Sequence, residues 1–393
     1  MKPEQRILLC LAHMSGRERE YIDEAFADNW VVPLGPNVDG FEKDLKNFIT
    51  AGHPELDHLE VAALSAGTAA IHLALVLLGV GPGDEVICQS FTFAASANPV
   101  LYQGARPVFV DSEASTWNMS PSLLRRAIDE RIAATGRKPK AIVIVHLYGM
   151  PAMIDELLAV AEEYDIPVVE DAAEALGSCY KGRECSTFGR FGILSFNGNK
   201  MITTSGGGAL VCPDAETRRR AVFYATQARE DRPYYHHLVA GFNYRLSNIS
   251  AGIGRGQMTI LDDHLAHHRA LAAIYREVFA SVKWVEFHDN PSADSDANFW
   301  LSTILIDPAN PGGATPMSVM QALADLNVET RLLWKPMHMQ PLYADAPAVT
   351  DGTSESLFER GLCLPSGPWV TPDQARMIAT KIIDLCSAYR TST

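Results

Sequence analysis

One lysine stands in a glycine-rich segment, SFNGNKMITTSGGGAL, which covers residues 195–210. Lys200 follows an Asn-Gly pair and precedes the glycines Gly206, Gly207 and Gly208, so the chain around it favours a loop. An ε-amine in such a loop is either an ordinary solvated charge or a nucleophile held for covalent chemistry. The other polar residues of the chain decide between these two roles.

Two further groups of residues stand where a ligand could bind. In VVEDAAEALGS, Asp171 and Glu174 follow a predicted buried strand, and open α/β sheets bind ligands beyond the carboxyl ends of their strands. Such a carboxylate, taken alone, is more often a helix cap or an ion-pair partner. In LSAGTAAIHLAL, Ser65, Gly67 and Thr68 stand at the start of an apolar helix. Free N–H groups there favour a phosphate, but a plain cap by one of the hydroxyls is about as frequent.

The composition limits the class of protein. A chain of 393 residues, 47% of them hydrophobic, exceeds the usual size of a single core, so two domains are expected. The net charge of −14 disfavours nucleic acid and anionic membranes as partners. Seven scattered cysteines without a CxxC pair indicate reduced thiols, and the apolar run at the start is too short for a signal peptide. We therefore expect a cytoplasmic protein.

Alternating helical and strand-like segments position the polar residues. TAAIHLALVLLG, over residues 68–79, predicts a helix that ends at its glycine. Short apolar runs over 105–111, 141–149 and 166–172 predict strands buried on both faces. Helical segments such as 154–165 separate them, and this order predicts an α/β fold with a mostly parallel sheet.

The pattern changes after residue 257. Apolar residues from Leu261 to Phe279 keep the spacing of one long helix. A Pro- and Asp-rich stretch then leads to a strand, WLSTILID, and a further helix. We predict a large α/β domain with an N-terminal arm over residues 1–257 and a small α+β domain over residues 258–393.

Together these motifs resemble the DegT/DnrJ/EryC1/StrS family of sugar aminotransferases, which use pyridoxal 5'-phosphate (PLP) and have the aspartate-aminotransferase-like fold, type I. The resemblance covers nearly the whole chain and rests on SAGTAAIHLAL, GDEVICQSFTFAASANPV, GARPVFVD, VEDAAEALGS, SFNGNK, GGGAL and GFNYRLSNI. The segments NGNKMITTSGGGAL, QARE, RLLWKPMHMQ and CLPSG are similar to those of the family branch that aminates a UDP-linked 4-keto sugar on the way to bacillosamine. This implies a homodimer with L-glutamate as amino donor.

The resemblance assigns roles around the cofactor. Lys200 is implied to bind PLP covalently and to shuttle a proton. Asp171 would pair with the pyridinium nitrogen, so that the ring can accept electrons. Glu174 would lie beside the ring hydroxyl, where many family members have Gln, and this departure makes its role less defined. Phe93 would stack on the ring.

Further roles concern the phosphate and the substrate. Gly67 and Thr68 would hold the phosphate of PLP, with Ser195 adding a hydroxyl. Asn243, in GFNYR, would reach the phosphate of the neighbouring subunit's cofactor. Arg331 and His338 would bind the nucleotide sugar, and the fork of an arginine suits a diphosphate. Ordinary structural roles for Arg331 and His338 are about as frequent.

Several alternatives stay open. The sugar nucleotide could be GDP- or dTDP-linked, as in perosamine synthesis, or the chain could be an inactive PLP-binding regulatory protein. A PLP-dependent dehydratase of the family would have His at position 200, where this chain has Lys. His264 and His268, four residues apart, could bind a metal, but no third ligand is evident and a solvated helix face is favoured. The glycines of SGGGAL lack the spacing of a dinucleotide-binding loop.

Overall fold

The computed structural model describes residues 5–388. Its helices within that range are α1 (Glu18–Ala27), α2 (Pro36–Ile49), α3 (Gly67–Leu77), α4 (Asn98–Tyr102), α5 (Pro121–Thr135), α6 (Ile154–Glu163), α7 (Ala215–Ala225), α8 (Asn248–Met258), α9 (Leu261–Phe279), α10 (Pro316–Ala324), α11 (Thr353–Arg360) and α12 (Pro372–Ser387). Its strands are β1 (Glu60–Leu64), β2 (Glu85–Gln89), β3 (Arg106–Val110), β4 (Ala141–Val145), β5 (Val168–Asp171), β6 (Cys179–Tyr180), β7 (Arg183–Glu184), β8 (Phe191–Ser195), β9 (Gly208–Cys212), β10 (Val285–Phe287), β11 (Ser295–Asp296), β12 (Ser302–Ile306), β13 (Arg331–Leu332), β14 (Ala348–Val349) and β15 (Gly361–Leu364).

The larger sheet has eight strands in the order β1-β9-β8-β5-β4-β2-β3-β14. The strands from β8 to β14 along this order are parallel neighbours, and β9 runs antiparallel to both β1 and β8. Alternate strand residues face opposite helical layers. Ile87 and Ile142 pack with α5 and α6, whereas Val86 and Val143 pack with α3. The predicted α/β fold with a mostly parallel, mixed sheet is confirmed.

The second sheet has the order β10-β12-β15-β13, and its neighbouring strands are antiparallel. Helices α9, α10 and α12 pack against it through side chains such as Tyr275, Val319 and Ile378. These elements follow residue 257, but β14 from the same part of the chain pairs with β3 in the larger sheet. The division into domains at residue 257 stays a prediction.

Two sequence-based expectations concern cysteines and membrane spans. Cys88 and the six other cysteines are free thiols in the structure, as their scattered positions predicted. Across residues 5–388, the helices lack the length and apolar character needed to cross a bilayer.

Candidate active site

A cavity of about 470 Å³ lies where the first turn of α3, the carboxyl ends of β5 and β8, and the start of β12 meet. Eight of the residues predicted from the sequence line it: Gly67, Thr68, Phe93, Asp171, Glu174, Ser195, Lys200 and Arg331. The fold therefore gathers residues that are far apart in the chain, as expected for the carboxyl edge of a parallel sheet.

The Lys200 amine contacts a carboxylate and an aromatic ring. Its Nζ is 3.3 Å from Glu174 Oε1 and 4.0 Å from the centroid of the Trp300 ring. The lysine side chain is 14% exposed, so it is not an ordinary solvated charge. The Trp300 indole N–H donates to the Asn199 carbonyl at 2.6 Å, which ties the ring to the loop that carries Lys200. The amine therefore lies largely enclosed in the cavity wall.

Asp171 ends β5 and is buried. Its Oδ2 accepts a hydrogen bond from the Ser96 hydroxyl at 2.6 Å, and its Oδ1 accepts one from the Ala173 amide at 3.1 Å. Burial raises the pKa of Asp171, and these two hydrogen bonds oppose the rise. Within residues 5–388, no lysine or arginine donates a hydrogen bond to this carboxyl group, so it is open to a protonated ring nitrogen.

Glu174 is positioned by an unusual backbone conformation. Its Oε2 accepts a hydrogen bond from the Tyr148 amide at 2.7 Å, and Tyr148 has a φ of 56°, in the left-handed region that few residues other than glycine adopt. The Tyr148 hydroxyl in turn accepts a hydrogen bond from the Trp334 amide at 2.9 Å. The pKa of Glu174 is raised by burial, and the neighbouring charge of Lys200 offsets only part of the rise.

The start of α3 has the properties of a phosphate site. Ala66 is the N-cap residue, and within the described chain no side chain caps the helix, so a cap by Ser65 or Thr68 is not what the sequence encodes. The first amides of α3 and the positive end of its dipole are left for a ligand. A Cβ at Gly208 would lie 2.3 Å from the Gly67 nitrogen, so a glycine is required where β9 meets this turn.

Aromatic residues form another wall of the cavity. Phe93 is 52% exposed, and its ring centroid lies 5.0 Å from that of Trp334. The ring of Trp334 is parallel to that of Tyr148, with centroids 6.2 Å apart. Trp300 and Trp334 line the cavity but were not predicted from the sequence, since a tryptophan near a strand is more often part of a core. Neither segment, WLSTILID or RLLWKPMH, marks its tryptophan as a cavity residue.

Three predicted residues need separate description. Arg331 lies on the rim of the cavity, with a side chain that is 70% exposed and paired with Glu329 at 3.0 Å. His338 is not part of the cavity lining, since its ring nitrogens contact Ser90 Oγ at 2.6 Å and Glu355 Oε1 at 3.0 Å. Asn243 is exposed and also lies outside the lining of its own chain's cavity.

The sequence favoured a solvated helix face for the two histidines of the long helix, and this prediction is wrong. His264 and His268 are buried in the structure. Their Nδ1 atoms lie 3.0 Å from the Met201 carbonyl and 3.1 Å from the Phe299 carbonyl, respectively. Both side chains thus connect α9 to neighbouring loops.

The fold and this site together define a PLP-dependent transferase of fold type I, specifically an aminotransferase. The chain belongs to the DegT/DnrJ/EryC1/StrS aminotransferase family, whose sequence model matches residues 13–383. The predicted family, fold type, cofactor and enzyme class are confirmed, and the protein is a sugar aminotransferase.

Individual relatives align over nearly their whole length. The chain is 47% identical over 385 residues to EpsN of Bacillus subtilis (strain 168), and the match covers 97% of this chain and 96% of that one. It is 36% identical to GDP-perosamine synthase of Escherichia coli O157:H7, over 95% and 97% of the two chains. The crystal structure of a DegT DnrJ EryC1 StrS aminotransferase from Brucella abortus is similar, with a TM-score of 0.86, 28% identity, and coverage of 95% and 96%.

Proposed function

We propose that this protein transfers an amino group from L-glutamate to C4 of a nucleotide-linked 4-keto-6-deoxy sugar. The substrate that the sequence resemblance favours is UDP-2-acetamido-4-keto-2,4,6-trideoxyglucose, and the product is the corresponding UDP-4-amino sugar. The observation that carries the proposal is the Lys200 amine, 3.3 Å from Glu174 in the cavity that Asp171 also lines. The relative named GDP-perosamine synthase makes a GDP-linked sugar the main alternative.

The residues of the cavity fit PLP. The start of α3 suits the phosphate, because no side chain in the described chain caps its first amides. Ser195 lies beside this turn, where a Cβ at Gly67 would be 3.2 Å from Ser195 Cβ. The buried Asp171 carboxylate suits a protonated ring nitrogen, and Phe93 presents a ring to the same space. PLP, when bound, supplies an electron sink for the carbon that loses a proton.

The chain itself supplies the proton transfer. Lys200 is the one group in the described lining with an amine. We assign to it the removal of the proton from the amine-bearing carbon of glutamate and the delivery of a proton to C4 of the sugar product. Glu174 holds the Lys200 amine in place through its Oε1, while its Oε2 stays bonded to the Tyr148 amide. Trp300 covers another side of the amine and excludes water from it.

A second copy of the chain is part of the proposal. Asn243 follows a segment with several highly exposed apolar side chains, including Tyr235 at 81% and Leu238 at 70%. The next residue, Tyr244, accepts a hydrogen bond from the Ser65 amide through its carbonyl, so this segment runs beside the predicted phosphate site. A homodimer would cover the apolar residues and bring Asn243 to the partner's cofactor.

The test combines covalent labelling with substrate turnover. Borohydride treatment of the holoenzyme should attach the cofactor permanently to a peptide containing Lys200, and Lys200→Ala should abolish the label. The matched variant Lys46→Ala, whose amine pairs with Glu60 away from the cavity, should keep it. Incubation with glutamate and UDP-, GDP- and dTDP-linked 4-keto sugars, read by mass spectrometry, identifies the acceptor. A label on another lysine, or a coloured protein without turnover of any sugar, would contradict the proposal.

A further inference from the structure

We infer that Asn298 is a positioning residue for the amino transfer, because its carboxamide joins the two segments that hold Lys200. Glu174 follows β5, whereas Trp300 precedes β12, and both contact the Lys200 amine. Asn298 is fully buried and does not line the cavity, so it acts through these neighbours. The inference rests on the proposed function in taking Lys200 as the reacting amine.

The carboxamide of Asn298 makes three hydrogen bonds to backbone groups. Its Nδ2 donates to the carbonyls of Glu174 at 3.0 Å and Leu176 at 2.9 Å. Its Oδ1 accepts the amide N–H of Trp300 at 2.7 Å. Both amide hydrogens are thus used, which only asparagine can provide in this space, since aspartate has no second donor.

The backbone around Asn298 adds a second connection. Its amide N–H donates to the Ser178 hydroxyl at 2.9 Å, and that hydroxyl donates to the Gly149 carbonyl at 2.7 Å. A Cβ at Gly149 would lie 1.8 Å from Asn298 Oδ1, so the carboxamide packs directly against this glycine. Tyr148, the residue before it, is the one that donates to Glu174. One buried side chain therefore contacts both backbone segments that fix the Glu174 carboxylate.

The local backbone conformation is consistent with a firmly held segment. Phe299, between Asn298 and Trp300, has a φ of 51°. A residue with a side chain stays in this region only where its surroundings impose it. Weakening the Asn298 hydrogen bonds should therefore release Trp300 and Glu174 together, and the position of the Lys200 amine with them.

The experiment compares two asparagines with the same hydrogen-bond pattern. In Asn310, 5% exposed, Nδ2 donates to the carbonyls of Asp307 and Ala314, and Oδ1 accepts the Ala314 amide, away from the cavity. Asn298→Asp and Asn310→Asp each replace two N–H donors by an acceptor and should lower the melting temperature by similar amounts. Only Asn298→Asp should slow the glutamate half-reaction, by between about tenfold and a hundredfold, because the amine is misplaced.

A measurement on the apoprotein separates this inference from the proposed function. Reductive methylation, followed by mass spectrometry, reports how fast Lys200 reacts relative to the other lysines. Asn298→Asp should make Lys200 react several-fold faster, while Asn310→Asp should leave its relative rate unchanged. Ser178→Ala removes only the connection through the Ser178 hydroxyl. It should also make Lys200 react faster, but by a smaller factor, and it provides the test if Asn298→Asp does not fold. Equal behaviour of the Asn298 and Asn310 variants would overturn the inference, whereas a borohydride label on another lysine would overturn the proposed function instead.

Discussion

The Ser96 hydroxyl donates a 2.6 Å hydrogen bond to Asp171 Oδ2 and so links the connection after β2 to the end of β5. Asp171 is buried, and burial raises its pKa, because a charge is poorly solvated there. The hydrogen bonds from Ser96 and from the Ala173 amide stabilise the carboxylate and offset part of that effect. Ser96 therefore helps to keep a negative charge where a ring nitrogen is expected to bind.

Removal of this hydroxyl should make cofactor binding more sensitive to acid. In Ser96→Ala, the pKa of Asp171 should rise further, so the carboxylate is protonated at higher pH and PLP retention is lost earlier on acidification. Absorbance of the retained cofactor after dialysis at a series of pH values measures this. Ser112→Ala is the matched control, because Ser112 is also buried and its hydroxyl has no hydrogen-bond partner in the described chain. Identical pH profiles for both variants would show that Ser96 does not act on Asp171.

The sequence predicted eight of the residues that line the cavity but not the contacts inside it. Lys200, Asp171 and Gly67 stand in motifs whose local pattern and order are informative, and α3 begins at Gly67 within one residue of the prediction. Ser96 lies in a quoted motif, QSFTFAASANPV, but its partner is 75 residues away. Trp300, just before β12, contacts Lys200, which follows β8 in a different sheet. Such contacts depend on how separate elements pack, which no local pattern in one chain encodes.

Two buried carboxylates of one segment should respond oppositely to neutralisation. Burial raises the pKa of Glu174. For Glu170, burial acts in the same direction, but the hydrogen bonds from His146 and from the amides of Gly189 and Ser186 outweigh it and lower the pKa. The first group therefore destabilises the apoprotein when charged, and the second stabilises it.

Glu174→Gln should raise the free energy of unfolding of the apoprotein at neutral pH, because burial raises the pKa of Glu174 and its charged form is therefore less stable in the folded chain. Since the folded-state pKa is raised, this gain should disappear as pH falls through the folded pKa towards the unfolded one. Glu170→Gln should instead cost about 2–4 kcal/mol at neutral pH, and the loss should shrink only at pH below the unfolded pKa. Urea unfolding at several pH values measures both. A stabilising Glu170→Gln, or a Glu174→Gln that destabilises, would contradict the assignment.

Asn243 tests whether a partner subunit completes the site. Its side chain is exposed and outside its own cavity, so loss of the amide should leave the fold of each subunit unchanged. If Asn243 binds the partner's cofactor phosphate, Asn243→Ala should weaken PLP affinity by about tenfold, the effect of one hydrogen bond to a charged group. Titration of the apoprotein with PLP measures the affinity, and sedimentation gives the assembly state. Asn47→Ala, at an exposed asparagine within α2, is a suitable control. A fully active monomer would refute the shared site.

Arg331 provides the test of how the substrate is bound. A net charge of −14 repels a dianionic nucleotide sugar at long range, so a cation near the cavity must supply the attraction. Arg331 is exposed on the rim, and although Glu329 contacts its guanidinium, much of its fork faces solvent. We expect Arg331→Ala to raise KM for the keto sugar by about tenfold, while the glutamate half-reaction stays within about twofold, because glutamate has no diphosphate.

The two half-reactions are followed separately by the colour change of the cofactor. Arg376→Ala, which removes a comparable surface ion pair with Glu277, serves as control. If the glutamate half-reaction collapses and the keto-sugar one is unchanged, then Arg331 binds the carboxylate of the donor.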